Sequence, residues 1–340
     1  MGKQFNVIQV GFGPMGQLVT KLLLKRKNIN LLGVADISDN LKGKKVSDFL
    51  GKDIQTNLEV IADIEELLTK NKVDVVIIAT SSFIDVIAPM IKQVIAHGTN
   101  VISLCEKLSY PFVFKPEISK EIDRLAKEKG VTVVGTGINP GYLMDLLPIV
   151  LTAPCETVEK IHVTRMMNSS RRRIPFQKKI GTGLSVEEFK RKISEKEITG
   201  HVGLEESMQM ISAALGLECD EIVEIPPIAK ITEKEIDGPY GKVPKGYVCG
   251  LQSQGIAKKN GKEMIILDFI AYAGDHEEFD SVEIEGIPGI KQIIKGGVHG
   301  DVGTASMVVN LIPKVVEANP GLLTMKDLPV PCNTANIWKK

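Results

Sequence analysis

The sequence predicts an α/β protein: an N-terminal parallel sheet covered on both faces by helices, then an α+β domain built on a mostly antiparallel sheet. Three observations predict it. Over the first 135 residues short apolar runs alternate with stretches of helical period. A glycine-rich turn sits between the first run and the first helix. Beyond about Leu151, charged helices give way to long strands of period two.

The runs Asn6–Val10, Asn30–Ala35, Val73–Ala79, Asn100–Leu104 and Val131–Gly135 are β-branched and almost wholly apolar, as strands buried on both faces are. Met15–Lys27, Ile61–Lys70, Ile84–His97 and Pro116–Lys129 carry the helical period between them, which gives right-handed strand–helix–strand units. Gly98 and Gly130 follow two of these helices, where a left-handed residue ends a helix at least cost. Further on, Val186–Lys196 and Val202–Leu215 read as helices. Val223–Ile231, Val248–Lys258, Glu263–Tyr272 and Asp280–Ile284 read as strands, and His162–Asn168 is strand-like. A last helix is expected over Val302–Ala318, capped by Asp301 and stopped at Pro320-Gly321. The expected domains are 1–145 and 146–300, with 301–340 packing back on the first.

Composition narrows the class. The 340 residues are 43% hydrophobic and 25% charged, enough apolar surface for two cores. With 42 basic and 42 acidic residues the formal charge is zero, which argues against a nucleic-acid partner. No apolar run approaches the roughly 20 residues of a membrane helix. The start runs straight into a strand, so a cytoplasmic protein is expected. Five scattered cysteines without CxxC spacing favour neither disulfides nor a metal site.

Gly11-Phe12-Gly13-Pro14-Met15-Gly16 is a GxGxxG turn between strand and helix. Gly11 permits the tight turn, Gly13 lets backbone approach a pyrophosphate, and Gly16 allows close helix packing. The helix opening at Pro14 and Met15 presents N–H groups to the phosphates. Twenty residues past Gly16, Asp36 ends the second strand, where a carboxylate accepts hydrogen bonds from ribose hydroxyls. Together these predict a Rossmann domain binding NAD. Lys42, Lys44 and Lys45 lie within loop reach of a 2′-phosphate and leave NADP open. Thr80 and Ser81 end the next core strand, where their small side chains admit the cofactor or cap the following helix.

Two strand ends should meet at the reactive ring: Cys105-Glu106-Lys107 and the turn Gly135-Thr136-Gly137-Ile138-Asn139-Pro140-Gly141. Hydride transfer needs alignment and a dry site, and the substrate decides the auxiliary group. An alcohol needs a base such as Lys107. An amine needs water activated against the resulting C=N bond, a task for the carboxylate of Glu106. A nucleotide-sensing protein without turnover is a third possibility.

Cys105-Glu106-Lys107 is similar to the Glu-Lys-Pro signature of the glucose-fructose oxidoreductase family, with Leu108 in place of proline. The His-His-x-x-Lys loop of dihydrodipicolinate reductases is missing. A fuller resemblance runs through GFGPMG, SLCEKLSYP, GTGINPGYLMDLLP, GHVGLEESMQMI and GGVHGDVGTASMVVNLIP. These blocks resemble the 2,4-diaminopentanoate dehydrogenase and native amine dehydrogenase family. The resemblance implies oxidative deamination of 2,4-diaminopentanoate to 2-amino-4-oxopentanoate and ammonia, within ornithine degradation, by a homodimer. It implies Glu106 as the water-activating residue, while Lys107 stands where many members carry a second Glu. Such a diamino acid carries a carboxylate and two amines, so a cation and several acceptors are expected around it. Arg165, Asn168 and His201 are the candidates, a guanidinium pairing with a carboxylate bidentately. The Arg171–Arg173 run is expected as a solvated loop, and His299 as a helix cap.

Overall fold

The computed structural model describes residues 4–172 and 174–335. Arg173 of the basic run and the end of the 301–340 segment, residues 336–340, lie outside them. The chain forms two compact units, 1–142 with 299–340, and 143–298.

In the first unit β1 (Phe5–Val10), α1 (Pro14–Leu24), β2 (Ile29–Ala35), α2 (Ser47–Leu50), β3 (Val60–Ile61) and α3 (Glu65–Lys70) form one half. Then come β4 (Val75–Ile78), α4 (Ile84–Ala96), β5 (Asn100–Ser103), α5 (Pro116–Lys129) and β6 (Thr132–Gly135). The strands are apolar because both faces are covered: Val7, Ile8, Val75, Val76, Ile77, Val101, Ile102 and Val133 are wholly inaccessible. Each such side chain contributes about 1.5–3 kcal/mol of burial. Gly98 (φ 67°) and Gly130 (φ 69°) adopt the expected left-handed conformation.

One expected helix is wrong at its start. Val60 and Ile61 pair in parallel with Val34 and Ala35 as an edge strand, so helix begins only at Glu65. A two-residue β-branched pair carries too little period to be read, and the ladder overrides the helical pattern.

The second unit holds α6 (Leu146–Leu151), β7 (Thr157–Asn168), α7 (Ile174–Lys179), α8 (Val186–Ser194), α9 (Leu204–Leu215), β8 (Glu221–Ile231), β9 (Ile236–Gly238) and β10 (Gly241–Val243). It continues with β11 (Val248–Lys259), β12 (Lys262–Tyr272), β13 (Phe279–Ile287) and β14 (Ile290–Lys295). Among the described residues six strands form its main sheet, in the order β14-β13-β7-β12-β11-β8. Every pair is antiparallel except β7–β12. Helix α9 lies close over β11: a Cβ at Gly255 would meet Met208 Cε at 2.6 Å.

The chain then returns to the first unit through α10 (Gly300–Val316) and β15 (Gly321–Leu323), which extends the parallel sheet beside β6. The complete order β3-β2-β1-β4-β5-β6-β15 makes this a doubly wound Rossmann sheet, with its switch point between β1 and β4. Helix α10 is capped by His299, whose Nδ1 accepts the Val302 N–H at 3.4 Å, and not by Asp301, which lies inside its first turn.

Candidate active site

In the first unit the three turn glycines have distinct physical duties. Gly11 has φ 85°, and a Cβ there would stand 2.4 Å from the Ala79 carbonyl. At Gly16 a Cβ would fall 1.9 Å from the Gly11 carbonyl oxygen, so α1 closes on β1 only because that atom is missing. At Gly13 it would meet nothing within 4 Å among the described residues. Gly13 is the N-cap of α1 and Pro14 its first residue, with no side-chain cap hydrogen bond among the described residues.

Asp36, at the end of β2, is half-buried. Its Oδ2 accepts the Phe12 N–H at 2.6 Å and its Oδ1 the Ser38 N–H at 2.8 Å, so the acid also holds the turn in place. Past β4, Thr80 is exposed, and Ser81 Oγ accepts the Phe83 N–H at 3.2 Å. The cap of α4 is Phe83, without side-chain help.

Glu106 follows β5 on a single 3-10 turn, Glu106–Leu108. Its carbonyl accepts both the N–H and the hydroxyl of Ser109. The Lys107 N–H reaches the Ser82 carbonyl at 3.2 Å, tying this turn to the loop after β4. The turn lies against β6 because Gly135 has no side chain: a Cβ there would meet Leu108 C at 2.6 Å. Glu106 itself is half-buried, while the Lys107 ammonium sits 5.5 Å over the Phe114 ring.

After β6 the Gly135–Gly141 turn folds tightly through the cis Asn139–Pro140 bond, with Gly141 at φ 127°. The Asn139 amide is buried, and neither its oxygen nor its nitrogen is hydrogen-bonded among the described residues. Thus Gly11, Gly13, Pro14, Met15, Gly16, Asp36, Thr80, Ser81, Glu106 and Asn139 all follow carboxyl ends of one parallel sheet, the edge where open α/β folds bind ligands. An open Gly13, an uncapped helix start and an orphaned buried amide fit a dinucleotide at this edge.

The second unit brings together two of its three candidates. Asp280, Arg165, Phe269 and Ser253 stand side by side across β13, β7, β12 and β11, all buried. Arg165 donates to the Val298 carbonyl at 2.8 Å and meets Asp280 Oδ1 at 3.5 Å, while Asp280 Oδ2 accepts the Val298 N–H at 2.7 Å. Burial pulls the guanidinium below its usual range and pushes the Asp280 carboxyl up, each partner opposing the other's shift. The His201 ring stacks on Phe269 at 4.2 Å and 8°, and the His201 backbone N–H reaches Ser253 Oγ at 3.3 Å. Burial, then the charges of Lys179 and Arg165, depress the imidazole to about 3. At neutral pH it is therefore an uncharged hydrogen-bonding group, too weak a base to collect a proton.

Asn168 lies three residues beyond Arg165 on the strand, so strand alternation sends it to the opposite face. Its nitrogen donates to the Gly274 carbonyl at 2.7 Å and its oxygen accepts the Ser170 N–H at 3.0 Å. It lines a separate cavity of about 640 Å³ with His276, Phe279, Ile293 and Lys295. Of the basic run, the Arg172 guanidinium packs 4.8 Å over the Phe176 ring and is only half exposed. Phe269 and Ser253, which hold His201, and Asp280, which pairs Arg165, were not singled out in the sequence. The usable signal was a charged residue at an inward position of a strand, since Asp280 alternates with the buried Val282 and Ile284.

Comparison with known proteins agrees with this organisation. Residues 142–340 match the model for the 2,4-diaminopentanoate dehydrogenase C-terminal domain. Residues 5–137 match that for an oxidoreductase family with an NAD-binding Rossmann fold. A 2,4-diaminopentanoate dehydrogenase of Acetoanaerobium sticklandii is 36% identical over 334 residues, 97% of this chain and 94% of that protein. The chain belongs to the 2,4-diaminopentanoate dehydrogenase family. It is an oxidoreductase, and its first unit is an NAD-binding Rossmann domain. The amine dehydrogenase from Mycobacterium smegmatis has the same fold, with TM-score 0.82 at 23% identity over 96% of both chains. A dihydrodipicolinate reductase from Paenisporosarcina sp. TG-14 is a more distant likeness, with TM-score 0.53 at 13% identity over 95% of this chain and 98% of that one. Among the described residues no helix is long and apolar enough to cross a membrane.

Proposed function

We propose that this chain oxidatively deaminates 2,4-diaminopentanoate to 2-amino-4-oxopentanoate and ammonia, with NAD as acceptor, NADP as a second one, and Glu106 activating the water. The observation that carries the reading is Glu106 on the turn that follows the carboxyl end of β5, in a chain 36% identical over 97% of its length to a 2,4-diaminopentanoate dehydrogenase. Gly11, Gly13, Pro14, Met15, Gly16, Asp36, Thr80, Ser81 and Asn139 would hold the dinucleotide. Bound there, NAD would supply the hydride acceptor for the carbon bearing the amine, whose oxidation gives a C=N bond.

The chain's own task is hydrolysis of that bond. Glu106 holds a water by accepting its O–H and takes the proton as the oxygen adds to carbon. Glu106 then returns that proton to the nitrogen, and as the C–N bond breaks the hydroxyl proton passes to the departing ammonia, so ketone and ammonium leave and the carboxylate is restored. Its negative charge also stabilises the cationic C=N group before attack.

For recognition, Arg165 and the neutral His201 are assigned to the substrate's polar end, His201 as a hydrogen-bond partner held flat on Phe269. Asn168 is assigned there too, with less support, since both ends of its amide are engaged within the fold. The alcohol dehydrogenase reading has less support again, because the Lys107 ammonium packs over Phe114. We also assign the protein to the cytoplasm, in ornithine degradation, as a homodimer. The exposed Val223, Ile228 and Ile231 on edge strand β8 support self-association, which sedimentation would test.

The deciding experiment follows NADH absorbance and released ammonia together, with 2,4-diaminopentanoate against ornithine, lysine and simple alcohols. One ammonia per NADH with the first substrate is expected. Turnover of alcohols without ammonia would overturn the assignment.

A further inference from the structure

Three side chains clamp two successive peptide units of the phosphate turn. The Gly11–Phe12 unit is held at its carbonyl by Gln9 Nε2, 3.0 Å away, and at its N–H by Asp36 Oδ2, 2.6 Å away. The Phe12–Gly13 unit is held at its carbonyl by Gln17 Nε2, also at 3.0 Å. In a trans peptide the N–H points opposite to the carbonyl. A Phe12 carbonyl turned back onto Gln17 therefore leaves the Gly13 N–H directed away from it, and keeps that carbonyl's lone pairs from an arriving anion.

Gln9 is the unexpected member. It lies in the central strand β1, wholly inaccessible, between the equally buried Ile8 and Val10. Its nitrogen spends both donors on main-chain carbonyls, those of Val10 and Gly11, each at 3.0 Å. Its Oε1 is buried without a hydrogen-bond partner among the described residues, a penalty that Leu or Met at the same place would not carry. The Gly11 carbonyl it holds is the one against which Gly16 closes, 1.9 Å from where a Cβ would be. An amide kept here at a cost to the core acts on that carbonyl and, through it, on the turn.

The geometry points to Gln9 as a positioning residue for the dinucleotide's phosphates: it locks the Gly11–Phe12 peptide so that the turn is formed before the ligand arrives. Preorganisation of this kind raises affinity by removing an ordering cost from binding. Dinucleotide affinity therefore depends on Gln9, whereas a ligand without phosphates is indifferent to it.

The test replaces Gln9 by Met, which keeps length and apolar volume but cannot donate. NADH binding is read by fluorescence titration well below the melting temperature, and adenosine binding by competition. NADH is expected to bind about tenfold more weakly, the order of one to two lost hydrogen bonds. Adenosine is expected to bind as to the parent, and kcat at saturating dinucleotide to be retained while KM for it rises. An NADH Kd within twofold of the parent, or an equal loss for adenosine, would overturn the proposal. Should Gln9→Met fail to fold, the half-buried Gln17→Met carries the same test: weaker NADH with unchanged adenosine supports the clamp, and unchanged NADH refutes it.

Discussion

Two alanines placed three residues apart should differ in what they do to stability. Gly13→Ala puts a methyl where nothing lies within 4 Å, at φ −65° and ψ −174°, a conformation alanine adopts freely. Stability should change by no more than about 1 kcal/mol, the balance of a poorer N-cap and a less flexible unfolded chain. The methyl nevertheless occupies the space through which backbone approaches a pyrophosphate, so NADH affinity should fall by at least about tenfold, roughly 1.4 kcal/mol. Gly16→Ala is different. Its methyl would lie 1.9 Å from the Gly11 carbonyl oxygen, and a contact that short requires α1 or the turn to move by more than 1 Å. Overpacking of this kind costs about 1–3 kcal/mol, so both melting temperature and NADH binding should fall. Thermal melts by circular dichroism and NADH fluorescence titration separate the two cases. Gly13→Ala binding NADH like the parent, or Gly16→Ala melting like the parent, would refute the division of duties between the glycines.

Removing one partner of the buried Arg165–Asp280 pair should be severe. Asp280→Asn or Arg165→Leu is expected to cost about 3–5 kcal/mol in denaturant unfolding, and a loss below 1 kcal/mol would contradict the burial argument. Lys107→Met should leave kcat within a few-fold of the parent if Glu106 and not Lys107 is the base, as steady-state kinetics would report. His201 should make stability pH-dependent in one direction. Its imidazole titrates near 3 when folded and near 6.5 when unfolded, so the unfolded chain binds the extra proton between those values. The contribution is complete above about pH 6.5 and is lost toward pH 3, at up to about 1.4 kcal/mol per pH unit. In His201→Gln that part of the slope should vanish from melts taken across the window.

The first unit was legible almost residue by residue, and physics explains why. The spacing of Gly11, Gly13 and Gly16 marks a turn between strand and helix, and the contact of Gly16 with the Gly11 carbonyl lies within that turn, although Gly11 is also confined by Ala79 of a distant strand end. Asp36 sits where the second strand must end. What stayed hidden depended on distant partners or on very short elements. Val60 and Ile61 become a strand only because Val34 and Ala35 offer them a ladder. The partner of Arg165 is Asp280, on a strand far along the chain, and no local pattern connects them. His201 reads from sequence only as a polar candidate for the substrate, yet its behaviour is set by burial against the Phe269 ring and then by the charges of Lys179 and Arg165. Gln9 was passed over because a glutamine within a buried strand looks like an exception to the pattern. The structure makes it a holder of the turn.

The account rests on one carboxylate, and Glu106→Gln tests it most directly, since the substitution keeps shape and hydrogen bonding but removes the base. With 2,4-diaminopentanoate and NAD, the variant is expected to bind NADH with the parent's Kd while kcat for ammonia release drops by about 10²–10⁴-fold. Ammonia release at a rate close to the parent's would contradict the assignment of water activation to Glu106.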